Sequence, residues 1–502
     1  MRALALLLAL AAPLSAQWYS GDAHIHVQQC DTPVNLTMTE VKAAMDATGL
    51  DVAAVQLWAS PWTLPAFYLS AYAPLITGLP DSASDVTHTI QLGLEVSGFP
   101  ASQFGHLQVL GPTTGFFPTD ALYPGPIEAF YDSALLGYAH VQWLLSYDTV
   151  PFFGGTNGAY MAPIDAALGT IDYIETTRVK PDPGLEAFPW WGLYYKLQNA
   201  GLRVSLTAGS DNSCLVPEIG DGQTHARVTG PLTFAAWCDA IRKGHTSISR
   251  PGEYIESWID GQPTGSQLNL PAPTNVAVSS TAPCEVVMNG QVVATMPFAG
   301  IVSVPVTGSC WIATRYPGAH TAASYVIVGD EPITSALDAQ YWIDYCNAFS
   351  ANIGVYNLPP LAEAEVISRI AAARQVYSAL LARACPWPTG VMEYGPSTQA
   401  CEGPISIGVT SGYAVDCVNA PPSANGFLVL GTAPTALPNS GITVLVNPFM
   451  PYVLVPVTST AGGYCKVSVT INPGKRFYAQ FVWMQGCPGP LAASDGLDVV
   501  MP

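Results

Sequence analysis

The chain has 502 residues, of which 49% are hydrophobic and only 11% are charged, and its formal net charge is −19. About a quarter of the residues of an ordinary globular domain are charged, and disordered chains and coiled coils carry more, so both of those classes are excluded. Acidic residues outnumber basic ones by 36 to 17 and no basic run occurs, which makes nucleic acid and anionic membranes poor partners. At roughly 150 residues per domain, the length predicts two to four domains.

The first sixteen residues have the pattern of a secretory signal peptide. Arg2 supplies the positive charge, Ala3–Ala12 the apolar core, and Leu14-Ser15-Ala16 a small-residue cleavage site. The apolar core is too short to span a membrane, and no later apolar run has the length of a span. We therefore expect a protein without stable membrane insertion that is secreted, periplasmic or held at the cell surface.

The cysteine content fits an oxidising compartment. The chain has 11 cysteines, none of them in a CxxC arrangement, and the odd number leaves at least one thiol without an intramolecular partner. Proximity along the chain suggests four pairs, although spacing does not determine connectivity: Cys284 with Cys310, Cys346 with Cys385, Cys401 with Cys417, and Cys465 with Cys487.

Residues 17–251 alternate between short apolar runs and segments with helical patterns. Thr39 is a candidate cap for a helix that runs through Ala47 and ends at Gly49. Predicted strands are Asp51–Trp58, Ile90–Val96, His106–Leu110, Gly137–Val141, Thr170–Thr176 and Arg203–Ala208, and predicted helices are Pro126–Leu135, Ala162–Leu168 and Trp190–Ala200. Such alternation predicts an α/β sheet or barrel.

The rest of the chain divides into three further regions. Residues 252–332 form a predicted small β domain, with strands Val286–Met288, Val292–Met296 and Ile301–Val306 and a turn at Asn289-Gly290. Residues 333–385 predict a pair of helices, Ser335–Ser350 and Leu361–Ala384, the second of them amphipathic. Residues 386–502 predict a C-terminal β-sandwich, with strands Gly426–Leu430, Gly441–Val446 and Lys466–Ile471.

Six histidine and acidic residues stand at predicted strand ends, where α/β folds position active sites. They are His24, His26, Glu95, His106, His140 and Asp211. His24 and His26 are separated by one residue, so both imidazoles lie on one face of a strand and can reach one metal ion. Each residue alone is more often structural than ligating, but the set of six predicts a metal site.

The order of these motifs resembles that of a known superfamily. Gly21-Asp22-Ala23-His24-Ile25-His26 is followed by Glu95, Gly105-His106, Gly137-Tyr138-Ala139-His140 and Ala208-Gly209-Ser210-Asp211. This series is similar to the PHP (polymerase and histidinol phosphatase) superfamily and, more narrowly, to the CehA/McbA metallohydrolases, from about Trp18 to Ala384. The resemblance implies a distorted (β/α)7 barrel over residues 17–251, with the helical pair packed on it.

The resemblance also implies a ligand set. His24, His26, Glu95 and Asp211 would hold a first metal ion, and Glu95 would bridge to a second ion completed by His106 and His140. Two positions depart from the family pattern. Gln56-Leu57-Trp58 stands where an Asp-His pair is usual, and Asp211-Asn212-Ser213 replaces Asp-x-His. Both missing histidines belong to the third metal of trinuclear relatives, so we predict a binuclear site.

Two divalent ions that share a water lower its pKa from ~15.7 toward ~7, which provides hydroxide at neutral pH. Mixed imidazole and carboxylate ligands suit zinc, manganese or iron. The expected activity is hydrolysis of a small-molecule phosphoester or of a carboxylic or carbamate ester. The expected catalytic residues are Glu95 and Asp211. His225 and Arg227 could bind a substrate oxyanion or donate a proton, and are equally well a surface loop pair.

Glu175 ends another predicted strand and could support a ligand. A rival interpretation from a different class is a non-catalytic exported surface or carbohydrate-binding protein that kept a degenerate barrel. The missing third-metal ligands and the abundant β modules make this rival plausible. In either case the C-terminal module could bind an extracellular or cell-surface partner.

Overall fold

A computed structural model describes most of the chain. The described residues are 16–27, 36–59, 73–96, 104–113, 134–139, 141, 159–176, 190–212, 218–329, 331–384, 391–394, 399–400, 403–404, 406–409, 414–418, 420–421, 423–440, 442–459, 465–469, 475–484, 491–494 and 496–500. The chain divides into two compact units, Met1–Ile333 with Gly354–Arg369 and Thr334–Ile353 with Ile370–Pro502. The fold is mixed α/β and consists mostly of strands in several sheets.

The described residues contain six α-helices and two 3₁₀ turns. The helices are α1 Met38–Thr48, α2 Ala162–Leu168, α3 Trp190–Asn199, α4 Phe234–Arg242, α5 Ala336–Asn352 and α6 Pro360–Ala384, and the turns are Ala73–Leu75 and Ile353–Tyr356. Within this described part, no helix combines the length and apolar character needed to cross a membrane.

The first unit contains nineteen described strands. They are β1 Ala16–Ile25, β2 Val52–Ala59, β3 Thr89–Val96, β4 His106–Leu110, β5 Leu135–Ala139, β6 Tyr173–Thr176, β7 Ser205–Ala208, β8 Gln223–Thr229, β9 Thr246–Ser249, β10 Ser257–Ile259, β11 Gln262–Pro263, β12 Gln267–Leu270, β13 Thr274–Ser280, β14 Cys284–Met288, β15 Gln291–Met296, β16 Gly300–Val306, β17 Cys310–Tyr316, β18 Ala319–Thr321 and β19 Ser324–Val328. The central sheet has the order β12-β19-β17-β18-β9-β8-β1-β2-β3-β4-β5-β6-β7.

Most predicted elements are present, with shifted ends. The prediction of α2 matches at both termini. Thr37, not Thr39, caps α1, because its side chain accepts from the Glu40 N–H while the Glu40 side chain reaches back to it in a capping box. The predicted helix ending at Leu135 is wrong at that residue, which begins β5; residues 126–133 lie outside the described residues.

The direction of β4 decides which residues meet at one edge of the sheet. β1, β2 and β3 run parallel, but β4 runs antiparallel to both β3 and β5. The first residue of β4, His106, therefore lies beside Ala139 at the end of β5 and near Glu95 at the end of β3. A strand that begins at this edge thus contributes to the same site as the strands that end there.

β7 is the last strand in the order of the central sheet, but threonine hydroxyls connect it with β8 and β9. The Thr224 hydroxyl on β8 accepts from the Ala208 N–H at 2.7 Å and donates to the Ala208 carbonyl at 2.8 Å. The Thr246 hydroxyl on β9 donates to the Leu206 carbonyl at 3.0 Å. The sheet consequently curls until β7 lies beside β8 and β9.

Helix α4 packs against the central sheet. Trp237 is fully buried in a cluster with apolar residues of β1, β2, β4, β5, β6 and β8. The fit is tight: a Cβ on Gly21 would lie 2.7 Å from the Trp237 ring. The cluster includes Val52, Leu135 and Tyr173, the first residues of β2, β5 and β6, whereas Glu95 lies at the end of β3.

The β strands between residues 257 and 328 surround a second apolar cluster, which includes both Cys284 and Cys310. The predicted bond between these two cysteines is wrong, since both are free thiols. The antiparallel register of β14 and β17 pairs Glu285 with Arg315 and Met288 with Ile312, so the two cysteines lie at opposite ends of the strand pair. A disulfide needs Cα atoms within about 7 Å. The other three suggested pairs each include a cysteine outside the described residues.

The second unit contains the remaining thirteen described strands. They are β20 Val391–Tyr394, β21 Gln399–Ala400, β22 Gly403–Pro404, β23 Ser406–Val409, β24 Ala414–Val418, β25 Asn425–Gly431, β26 Pro434–Asn439, β27 Ile442–Val446, β28 Tyr452–Thr458, β29 Cys465–Ser468, β30 Arg476–Trp483, β31 Ala492–Ala493 and β32 Gly496–Val500. A sheet of order β20-β32-β30-β25-β28 and a sheet of β23-β24-β29 contribute to one apolar cluster.

The predicted helical pair is present as α5 and α6. The amphipathic pattern of α6 is confirmed, because Val366, Ile370, Tyr377 and Leu381 are buried. Within the second unit, the Trp342 ring of α5 stacks on Tyr377 of α6 with centroids 6.0 Å apart.

Candidate metal centre

The two histidines at the end of β1 form the core of the site. The parallel register between β1 and β2 shifts between Asp22 and Ile25, where β1 becomes irregular. His24 and His26 are both buried, and their Nε2 atoms lie 2.9 Å apart. Both imidazoles therefore present Nε2 to one point.

Two carboxylates face the same point. Glu95 Oε2 lies 2.9 Å from His26 Nε2 and 3.4 Å from His24 Nε2. Asp211 Oδ1 lies 3.4 Å from His26 Nε2 and 3.8 Å from His24 Nε2. His24, His26 and Glu95 meet the geometric requirement for holding a metal ion together. The four residues come from three strand ends that are far apart in sequence.

The outer nitrogens of both rings determine what the inner nitrogens present. His26 Nδ1 lies 3.0 Å from the Gln56 carbonyl oxygen, which only accepts, so Nδ1 carries the proton. His24 Nδ1 lies 2.6 Å from Glu175 Oε2 and donates to that carboxylate. In the neutral rings each Nε2 therefore has a lone pair directed at the other and at the carboxylates. Such a convergence is repulsive without a cation and fits the nitrogen and oxygen ligands of a divalent metal.

The electrostatic environment of the two histidines favours positive charge. Burial alone lowers the pKa of His26, but hydrogen bonds to Asp211 and Glu95 outweigh it and raise the pKa to about 9. For His24, burial is likewise outweighed by the charges of Glu175, Glu95 and Asp211, which hold its pKa well above the usual value. The surrounding carboxylates thus favour a cation at this point, whether protons or a metal ion supply it.

Glu95 has its two oxygens directed to two sides. Oε2 faces the histidine pair, whereas Oε1 lies 2.5 Å from His106 Nδ1. A carboxylate with this geometry can bridge two positions. His140, the other residue predicted beside His106, lies outside the described residues.

Backbone contacts hold the end of β1 against the end of β7. Asp22 is buried and accepts the N–H groups of His24, Ser210 and Gly220 at 2.8–3.0 Å. The Asp211 N–H donates to the His24 carbonyl at 2.8 Å. Gly209 is required for this approach, because a Cβ there would lie 2.3 Å from the His24 Cβ. The Ala-Gly-Ser-Asp motif is therefore a docking segment as well as a source of Asp211.

Sequence reasoning missed three supporting residues. Asn212 clamps the His26 backbone: its Oδ1 accepts from the His26 N–H at 2.8 Å and its Nδ2 donates to the carbonyl at 3.2 Å. The Gln56 carbonyl orients the His26 ring, and Gln108 Nε2 donates to Glu175 Oε2 at 2.6 Å. A sequence signal existed for Gln108: it stands two residues after His106 on β4, and residues at i and i+2 of a strand lie on the same face.

His225 and Arg227 lie on β8, away from the centre. His225 is opposite Ser20 and Arg227 is opposite Trp18, four and six residues before His24 along β1, or about 13 and 20 Å. His225 Nε2 lies 2.8 Å from Ser249 Oγ, and its ring packs on Tyr254 with centroids 4.3 Å apart. None of the described contacts connects either residue with the metal centre.

His225 should make the protein less stable in mild acid. Burial lowers its pKa from 6.5 to about 4 in the folded protein. Below pH 6.5 the unfolded chain gains a proton that folded His225 does not accept until about pH 4, so the free energy of unfolding falls by about 3 kcal/mol across that window. Chemical denaturation at several pH values measures this change, and His225→Gln should show a correspondingly shallower pH dependence. An equal dependence in both proteins would contradict the prediction.

Comparison with known proteins assigns no family: no protein-family model matches the chain, and no curated protein gives a significant match.

Proposed function

We propose that the chain is a metal-dependent hydrolase of small esters whose centre is the group His24, His26, Glu95 and Asp211. The observation that carries this proposal is the convergence of two imidazole lone pairs and two carboxylates on one buried point. Imidazole nitrogens and carboxylate oxygens that converge in this way are the ligand set that divalent metal ions typically have in proteins.

A bound divalent ion supplies Lewis-acid activation of a water molecule and of the ester oxygen. The residues of the chain have separate tasks. Glu175 and the Gln56 carbonyl orient the two imidazoles, so that each ring directs Nε2 inward. Asp211, whose Oδ1 lies 3.4 Å from His26 Nε2, would ligate the ion and accept the proton of the attacking water.

The proposal includes a second ion beside the first. The two-sided orientation of Glu95 supports it, with Oε1 directed at His106. His106 and His140 would complete that position. Mixed nitrogen and oxygen ligands suit zinc, manganese or iron.

A phosphoester is the preferred substrate class, with a carboxylic or carbamate ester as the next choice. Two ions separated by a bridging carboxylate can neutralise the charge that develops on a phosphoryl group. The motif order that resembles the PHP superfamily supports the same choice. The signal-like N-terminus supports action outside the cytoplasm.

Metal content and activity together test the proposal. The full chain should contain about two transition-metal ions after dialysis, and it should hydrolyse p-nitrophenyl phosphate, bis-p-nitrophenyl phosphate or p-nitrophenyl acetate. Removal of the ions by a chelator should abolish hydrolysis, and readdition should restore it. A protein that binds no ion and hydrolyses none of these esters would overturn the proposal and favour the non-catalytic exported binding protein.

A further inference from the structure

Glu175 is a buried carboxylate whose two oxygens have unequal surroundings. Oε2 accepts from His24 Nδ1 at 2.6 Å and from Gln108 Nε2 at 2.6 Å. Gln108 is itself held by Tyr173, whose hydroxyl donates to Gln108 Oε1 at 3.2 Å. Oε1 of Glu175 is fully buried and has no hydrogen-bond partner among the described residues. An unsatisfied carboxylate oxygen in this environment loses its hydration without compensation.

A second unsatisfied atom lies on the neighbouring strand. Thr207 of β7 is the parallel-strand partner of Glu175 of β6, so the two side chains project from the same face of adjacent strands about 4.8 Å apart. Thr207 is fully buried, and its hydroxyl also has no partner among the described residues. A hydroxyl can donate and a carboxylate oxygen accepts, yet the two atoms do not bond directly.

We propose that one buried water molecule lies between Glu175 Oε1 and Thr207 Oγ1 and completes a support that positions His24 for the metal ion. The water donates to Oε1 and accepts from the Thr207 hydroxyl, which gives it the two polar partners that buried waters require at minimum. With both oxygens engaged, Glu175 holds His24 Nδ1 as a donor and His24 Nε2 as a ligand. Glu175 and Thr207 are thus positioning residues, and neither touches the ion.

This inference rests on the proposed metal centre, but the water can be tested without it. A high-resolution crystal structure of the metal-free chain should contain a water within hydrogen-bond distance of Glu175 Oε1 and Thr207 Oγ1. The Thr207→Val variant has nearly the same shape and should lack that water. Density that shows Oε1 bonded directly to a protein group, with no water, would overturn the inference and leave the proposed hydrolase untouched.

Metal affinity tests the positioning role. By competition with a chromophoric chelator, Thr207→Val should bind Zn²⁺ about tenfold more weakly than the unmodified chain. Thr207→Ser keeps the hydroxyl and is the matched control, with affinity close to that of the unmodified chain. Equal affinity in the valine and serine variants would overturn the positioning role. Absence of Zn²⁺ binding in the unmodified chain would overturn it together with the proposed function, whereas the crystallographic result would stand on its own.

Discussion

Replacing His24 by alanine should abolish metal binding at the buried centre. The variant loses one of the two proposed Nε2 ligands and also the only contact by which Glu175 supports the centre among the described residues. Removal of an outer partner alone typically costs 10–100-fold in affinity, so loss of the ligand itself should cost more than about a hundredfold. Ion content after dialysis and chelator competition measure the loss.

The controls separate loss of the ion from loss of the fold. His88→Ala removes a histidine that lies beside Asp46 and Asp85, outside the centre, and should leave ion content unchanged. Circular dichroism should show His24→Ala folded, since the change deletes a side chain without adding bulk. A folded His24→Ala protein with a full complement of ions would remove this residue from the centre. Asp211→Ala provides an independent second case.

Glu95→Gln should weaken both proposed metal positions, whereas His106→Ala should empty only one. Glutamine keeps the shape of Glu95 but presents one oxygen and one N–H donor group, and it carries no charge. The glutamine atom that faces the histidine pair and the atom that faces His106 then cannot both be metal ligands. His106→Ala leaves the contacts of Glu95 Oε2 with His24 and His26 in place.

Elemental analysis of the three proteins measures the difference. The expected ion content per chain is about two for the unmodified protein, about one for His106→Ala, and close to none for Glu95→Gln. A His106→Ala protein that retains two ions would show that His106 is not a ligand. If Glu95→Gln retains one tightly bound ion, Glu95 belongs to a single position and does not bridge.

Local sequence signals predicted about half of the strands described in the first unit and three of its helices, because such signals act over a few residues. The pattern around α2 includes a proline in the first turn and Gly169 after the last residue, where φ is 69°. Both signals are intrinsic to the backbone, so the prediction matched at both ends. The cap of α1 was misassigned by two residues, since Thr37 and Thr39 are both suitable and only the reciprocal bond with Glu40 distinguishes them.

Such local signals do not show which residues that are distant in sequence lie side by side in the sheet. The suggested Cys284–Cys310 bond assumes that closeness in sequence means closeness in space. The antiparallel register of β14 and β17 instead places the two cysteines at opposite ends of the strand pair. His106 was correctly associated with strand ends, but only the reversed direction of β4 explains why the start of this strand lies beside Glu95. His225 and Arg227 are candidates by sequence because they follow the Asp211 motif in the chain. Their register opposite Ser20 and Trp18 takes them away from it.

The sequence by itself predicts the kind of site, because the chemistry resides in residue types. Imidazoles at i and i+2, with acids at the ends of buried strands, predict ligands for a divalent metal wherever the strands meet. The tertiary structure alone decided which nitrogen of each ring is available. Glu175 is 151 positions from His24, and its contact with Nδ1 depends on the order of seven strands and the register between them. A hydrogen bond requires two groups within about 3 Å in space, and a local sequence pattern does not show which distant residues meet at that distance.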